Sequence, residues 1–337
     1  LSTELIKGYI KKNWSIVMKQ KIIIISAIIL LLALVAFMVK DFFFSRPDNS
    51  NPYALDVEKI RNGDTAAIAF AETLQIKTSL EEIHGLATDA NGRIYVSGKD
   101  GVEIFDASGK PETKFNIQGT AQCISPDEKG NLLLGIQDHI ETWNKAGKQL
   151  STWKSFGPDA VITSIAITGN DVFVADAGQK VVYHCDLTGN LINKIGLKDP
   201  ATGVPGFIIP SPYFDLGISH DGNLWVVNPG RHSFEKYNFS GTLLTSWGKA
   251  SMAMEGFCGC CNPSNFAMIS DSLFVTSEKA IERVKIYNAD GSFRCLVAAP
   301  NQFETGTKGL DLAVDNQNRI LVLDPVKMMI RVFELKK

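Results

Sequence analysis

The chain has 337 residues, 45% of them hydrophobic and 21% charged, and a formal net charge of −2. With so little net charge and no basic stripe after the N-terminal region, composition excludes a nucleic-acid binder held by phosphate contacts. The residues left after any membrane segment are ample for one large domain.

The first predicted element is a membrane-spanning helix. Residues 22–39 are 18 consecutive residues without a charge, which at ~1.5 Å per residue nearly cross a ~30 Å hydrocarbon core. Lys21 and Lys40 bracket the run, and the rest of the chain has no place for a buried helix of this kind. Lys7, Lys11, Lys12, Lys19 and Lys21 precede it, whereas Lys40 and Arg46 are offset by Asp41 and Asp48 after it. The positive-inside rule then keeps residues 1–21 cytoplasmic and exports the C-terminal remainder to the periplasm or the cell exterior. The run is longer than a usual signal core and has no small-x-small site before Lys40-Asp41, so an uncleaved anchor is expected. Met18-Lys19-Gln20-Lys21 offers a compact alternative start with the same topology. Residues 40–64 read as a linker, polar from 45 to 52.

From Gly85 to the end one short pattern recurs six times. The units begin Gly85-Leu86-Ala87-Thr88-Asp89, Cys123-Ile124-Ser125-Pro126-Asp127, Ser164-Ile165-Ala166-Ile167, Asp215-Leu216-Gly217-Ile218-Ser219, Asn265-Phe266-Ala267-Met268-Ile269 and Asp311-Leu312-Ala313-Val314-Asp315. Each continues through a polar turn into a run such as Arg93-Ile94-Tyr95-Val96 or Asn223-Leu224-Trp225-Val226. A strand then ends on an aromatic or His plus a polar residue, as in Phe105-Asp106, Trp143-Asn144, Tyr237-Asn238 and Tyr287-Asn288. Short β-branched and aromatic runs punctuated by Gly, Asn and Asp are strand–turn–strand grammar. A period of about 38 to 50 residues suits four strands per unit arranged radially. The sixth unit runs out of chain after its third strand, and residues 66–77 are expected to supply the missing outer strand and close the ring.

These units resemble NHL repeats, with the Gly-hydrophobic-Ala-x-Asp start and aromatic-Gly linkers such as Phe156-Gly157 and Trp247-Gly248. The resemblance covers nearly all of residues 66–337. It implies an all-β, six-bladed β-propeller at 65–337, preceded by one transmembrane helix, and is nearly silent on activity. In such a ring the inner strands start at one face, where the linkers arrive, so that face is the expected binding mouth.

One linker departs from the repeat: Phe257-Cys258-Gly259-Cys260-Cys261-Asn262-Pro263. With Cys123, at the start of the second unit's inner strand, it puts four of the six cysteines at the mouth face. Three readings stand side by side. The first is a disulfide, Cys258 with Cys261 or Cys123 with one of the three, since the adjacent Cys260 and Cys261 pair with each other only under strain. The second is a thiolate site for zinc, copper or an iron–sulfur cluster, held by Cys258, Cys260 and Cys261 with Cys123 or His84 as fourth ligand. The third is a cysteine-rich linker with no cofactor. Cys185 and Cys295 read as packing residues.

Asp215, Asn265, Asp311 and Ser164 also begin inner strands and make a polar ring. In propellers shaped like the sugar-lactone hydrolases, such residues hold a divalent cation, which here implies calcium on Asp215, Asn265 and Asp311. The plainer reading is that they hydrate the channel and cap strand ends. The resemblance also covers zinc-dependent propeller lyases, but His139, His184, His220 and His232 fall outside the mouth register. Arg231-His232 reads as solvated surface. The function expected is a membrane-anchored binding or assembly module with protein partners in a membrane complex, extending to a redox subunit if the cysteines hold a metal centre. A lactonase-like hydrolase and a cofactor-free, disulfide-stapled scaffold are the alternatives.

Overall fold

The computed structural model describes residues 3–44, 57–63, 65–270 and 272–337. The polar linker at 45–52 lies outside the described residues. The chain divides into two compact units, Leu1–Asp56 and Val57–Lys337.

The described residues of the first unit form one α-helix, Thr3–Phe44, of 42 residues. Neither Gly nor Pro interrupts its apolar stretch, so nothing breaks the backbone ladder. The segment of membrane-crossing character is Met18–Asp41, 24 residues, or ~36 Å of helix. The helix runs without interruption through the predicted boundary at residue 21. Length and composition fit either an anchor or a signal sequence.

The second unit opens earlier than the predicted boundary at 65. A short helix, Val57–Asn62, carries Arg61, whose guanidinium reaches Glu282 Oε2 at 2.6 Å and the carbonyl of Phe303 at 2.7 Å. Everything after it is a β-propeller. The closing sheet forms as expected: Phe70–Lys77 pairs antiparallel with the last strand, Met329–Leu335, outside Ile320–Asp324 and Leu312–Val314. Arg331 fastens it, with Nη2 2.6 Å from Glu72 Oε2 and Nη1 donating to the carbonyl of Gln302 at 2.7 Å.

Six blades are predicted, but the strands assort into five sheets, four of four strands and one of six. The six-stranded sheet holds the first two repeats. Its second strand, Ile94–Phe105, pairs through 94–98 with Ile83–Thr88 and through 101–105 with the next strand. That next strand, Pro111–Pro126, pairs backward through 111–116 and forward through 121–126 with Leu132–Ile136. The cause is the connection. Between these two repeats only a few residues intervene, and the Lys99–Thr120 pairing carries the ladder across them. The sixth and first repeats are joined by a connection nearly as short, residues 78–82, which carries no ladder; the remaining repeats are separated by longer irregular linkers that end each sheet before the next begins.

The first four repeats use the same turn chemistry. At Asp106 the side-chain Oδ1 accepts from the amides of Ser108 and Lys110, while Gly109 N–H returns to its carbonyl. Asn144, Asp186 and Asn238 repeat the arrangement. The short polar side chain closes the turn, and the glycine takes the left-handed conformation it needs (Gly109 φ 83°). Second strands such as Leu132–Ile136, Leu224–Asn228 and Ile320–Asp324 are buried on both faces, whereas the outer Gln149–Thr152 is exposed. Among the described residues the apolar core falls into six clusters, each joining two successive repeats, the last with the first.

Candidate functional site

The starts of the inner strands and the turns beside them surround a cavity of about 650 Å³. Every repeat contributes: His84 from the first, Gln122 from the second, Thr163 from the third, Tyr213 from the fourth, Asn265 from the fifth and Lys308 from the sixth. The walls mix hydrogen-bonding groups with Ile83, Ile136 and Val161, the composition of a site for a polar organic molecule. Two lining residues each carry a buried polar atom that accepts or donates no hydrogen bond. Neither Nε2 of His84 nor Oδ1 of Asn265 has a hydrogen-bond partner. Glu82 Oε2 lies 3.5 Å from the His84 nitrogen without hydrogen-bond geometry.

The polar ring exists and is drawn tight. Asp215 Oδ1 accepts from Ser164 Oγ at 2.6 Å and from Leu216 N–H at 2.8 Å; its Oδ2 accepts from Phe266 N–H at 2.8 Å. Asp311 Oδ2 accepts from Leu86 N–H at 2.7 Å, and its Oδ1 accepts from Leu312 N–H at 2.9 Å and from Asn265 Nδ2 at 3.3 Å. Each carboxyl thus ties its own strand to a neighbouring repeat on either side. Burial pushes Asp215 up to about 6, against the hydrogen bonds it accepts. Burial and then the charge of Asp215 push Asp311 up to about 8. The expected calcium set is therefore brought together, but its carboxylate oxygens are engaged by neighbouring donors and serve as inter-repeat clamps.

Cys123 is at the predicted register but faces the other way. Thr120 and Gln122 line the cavity, so alternation along the strand turns Cys123 into the sheet interface. There its sulfur sits over Gly135 beside Ile162, where a Cβ on Gly135 would come within 2.5 Å of it. Burial, then the charge of Asp311, raises its pKa far above the usual thiol range. Cys258, Cys260 and Cys261 are not its neighbours in that cluster. Cys185 is buried and Cys295 partly so.

The cysteine linker is itself divided. Cys258 is buried and its Sγ points to Glu278 Oε2 at 3.7 Å. Cys261 is buried and faces Cys260, which is exposed, with 3.1 Å between their sulfurs. The expected pairings of Cys258 with Cys261 and of Cys123 with the linker are not formed: all six cysteines are free. Among the described residues no group of three His, Cys, Asp or Glu side chains is arranged to hold a metal ion. Burial alone would raise the Cys261 thiol, but hydrogen bonds from Ser211, Cys260 and Lys279 outweigh it and hold its pKa below the usual value. The bond to Cys261 raises Cys260.

Two devices fix this linker. Under it, Glu278 pairs with Arg283, Nε to Oε1 and Nη2 to Oε2 both at 3.1 Å, and with Lys285, all three essentially buried. Lys285 Nζ also donates to the carbonyls of Gly256 at 2.6 Å and Met254 at 3.2 Å and lies 4.6 Å from the Phe257 ring. At its end, Asn262 Nδ2 donates to the carbonyls of Cys258 at 2.6 Å and Lys279 at 2.9 Å, and its Oδ1 accepts from Lys279 N–H at 2.9 Å. His232, read from sequence as solvated surface, is drawn to the linker: its Nδ1 lies 3.1 Å from the carbonyl oxygen of Asn262. His184 packs on Phe173 and bridges Asp171 and Asn193. His139 contacts Asp138 and Glu141.

Sequence reasoning missed Ser211, Tyr213, Glu278, Lys279, Arg283 and Lys285. The available signal was charge inside strands that are otherwise apolar: Glu278 ends a second strand and Arg283 and Lys285 stand on the third, as Asp324 and Arg331 do in the sixth repeat.

No protein-family model matches this chain, and no curated protein matches it in sequence. Solved structures match it in fold. A streptogramin B lyase structure aligns with TM-score 0.55 at 12% identity, covering 79% of this chain and 98% of that one. A catalytically inactive virginiamycin B lyase from Staphylococcus aureus, with quinupristin, aligns with TM-score 0.56 at 12% identity, covering 79% and 100%. A selenomethionine-substituted form of the Staphylococcus aureus enzyme gives 0.51 at 11% identity, covering 79% and 100%. At this identity the likeness is one of fold.

Proposed function

We propose that this chain is a membrane-anchored propeller of six repeat units that binds a small polar ligand in its mouth cavity and acts as a binding module. The observation that carries the reading is the cavity itself, lined by polar side chains from all six repeats, His84 and Asn265 among them. Lys308 gives the wall a cationic group, so the ligand is expected to carry an anionic end and hydrogen-bonding groups opposite it. The count of six rests on the six core clusters, each joining consecutive repeats; the first two blades share a ladder. In this reading the apolar helix is an uncleaved anchor, and the lysines preceding it support a propeller outside the cytoplasm. The structural neighbours are lyases, and at their identity no reaction is carried over to this chain.

The test is a thermal-shift screen of the full-length chain in detergent against sugar acids, hydroxy acids and amino acids, followed by calorimetry on any hit. Binding should be lost in His84→Leu while the ligand-free Tm stays near that of the parent, and lost also in Asn265→Leu, which in addition gives up the Nδ2 bond to Asp311. Hits that persist unchanged in both variants would place the ligand elsewhere and overturn the reading.

A further inference from the structure

Outside the mouth cavity, the most pointed chemistry is the pair of sulfurs in successive residues. We propose that Cys260 and Cys261 are a vicinal dithiol that closes reversibly, by exchange with an external disulfide, into the strained and therefore readily reduced disulfide that adjacent cysteines form. Three observations carry this. The two sulfurs face each other at 3.1 Å, although consecutive side chains in an extended segment point apart. The pair is asymmetric, with Cys260 exposed and Cys261 buried directly behind it. An incoming disulfide therefore meets Cys260 alone, and Cys261 is placed to resolve the mixed disulfide. Finally, the buried sulfur has polar support: Lys279 Nζ donates to Ser211 Oγ at 3.0 Å, and these two groups, with Cys260, hold the Cys261 thiol below its usual pKa. A cation and a hydroxyl beside a sulfur are the surroundings a nucleophilic thiolate requires.

The third thiol of the linker is kept out. Cys258 turns to Glu278 on the other side of the loop, and Asn262 holds the Cys258 carbonyl so that the turn cannot swing it round. Gly259, in the left-handed region at φ 77°, reverses the chain between Cys258 and the pair. The site is thus a two-sulfur device and not a three-ligand cup.

The chemistry balances in two displacements. Cys260 sulfur attacks one sulfur of R–S–S–R; the S–S bond breaks and the leaving RS⁻ takes the Cys260 proton, giving a mixed disulfide and RSH. Cys261 sulfur then attacks Cys260 Sγ and expels the second RS⁻, which leaves as RSH with the proton Cys261 gives up. Two protein thiols lose two electrons to form one disulfide, and the external disulfide becomes two thiols. Excess thiol runs the sequence backward.

The experiment uses the reduced full-length chain in detergent, exposed without oxygen to glutathione buffers of graded oxidised-to-reduced ratio, quenched by alkylation and read by intact mass and peptide mapping. The wild-type chain should lose two hydrogens reversibly, and Cys258→Ser should still do so. Cys261→Ser should stop with one glutathione on Cys260, and Cys260→Ser should react at least about tenfold more slowly, because the remaining sulfur is buried. The proposal is overturned if the wild-type chain stops at the mixed disulfide, if it does not react at any ratio, or if Cys258→Ser abolishes closure. The wild-type and Cys258→Ser measurements decide the matter even if the other variants fold poorly.

Discussion

Glu278→Gln is the sharpest perturbation of the linker's support. Glu278 is the one anion between Arg283 and Lys285, and the three side chains are 0%, 3% and 0% exposed. Gln keeps the shape and removes the charge, leaving two cations buried side by side. Lys285 has an escape. Burial already lowers its pKa to about 8 against the opposing pull of Glu278, and without that carboxylate it sheds its proton at neutral pH. Arg283 has none, because a guanidinium stays charged, so it sets the cost. Removing one partner from a buried pair typically destabilises by about 3–5 kcal/mol, which for a domain of this size lowers Tm by on the order of 10 °C. Urea unfolding of the full-length chain followed by tryptophan fluorescence measures it, since Trp247 packs 6.4 Å from Phe257 in the cluster above the clamp. The triple variant Glu278→Leu, Arg283→Met, Lys285→Met should recover much of the loss, because no charge is left unpaired. A Glu278→Gln loss below about 1 kcal/mol, the scale of an exposed ion pair, would refute the argument that this trio is dry and structural.

Three further outcomes are expected. Asp215 and Asp311 have folded-state pKa values raised above the ordinary 3.8, so their contribution to stability is complete below that value and is lost as pH climbs to about 8. Asp215→Asn removes the neighbouring charge and should flatten the fall between about pH 6 and 8 in a series of denaturant melts; an unchanged slope would dissociate the two groups. Gly248 has φ 144° and a Cβ there would approach the His232 carbonyl oxygen to 2.1 Å, so Gly248→Ala should cost at least about 1–3 kcal/mol by thermal melting, and a neutral result would contradict the close approach. In intact cells a membrane-impermeant maleimide should label the exposed Cys260 and lose that signal in Cys260→Ser; labelling only after permeabilisation would reverse the orientation.

Much of this fold is legible in the sequence because turns and strands are local. The Asp106-to-Gly109 spacing encodes a closed turn by itself, and the alternation in 70–77 announces a strand wanting a partner. The number of sheets is not, since whether two blades separate depends on the few residues joining 116 to 121 and on a single cross-strand pair. Cys123 shows the limit at the site. Its register is readable from the repeat, but the face it meets turns on one step of side-chain alternation beside Gln122. The facing of Cys260 and Cys261 is equally hidden, because Asn262 fixes it through bonds to Cys258 and Lys279, across as many as 17 positions of sequence.

The aligned repeats also explain why the thiol turn sits where it does. The last residue of the second strand is polar in unit after unit, and it holds the linker arriving from the preceding blade. Asp176 accepts from Val161 N–H at 2.9 Å, and Asn228 accepts from Ile208 N–H at 2.9 Å. In the fifth unit this position is Glu278. The extra methylene carries its carboxylate past the linker backbone to the side chains of Arg283, Lys285 and Cys258. Lys285 then takes over the anchoring role by binding the carbonyls of Met254 and Gly256, and the next residue, Lys279, is free to turn toward Ser211 and Cys261. A linker-holding position common to several blades is thus elaborated as an acid facing a cation on the next strand, a pairing the sixth unit shares in Asp324 and Arg331, and in the fifth unit one anion serves two cations. That elaboration gives an irregular loop the fixed geometry that reactive sulfurs need.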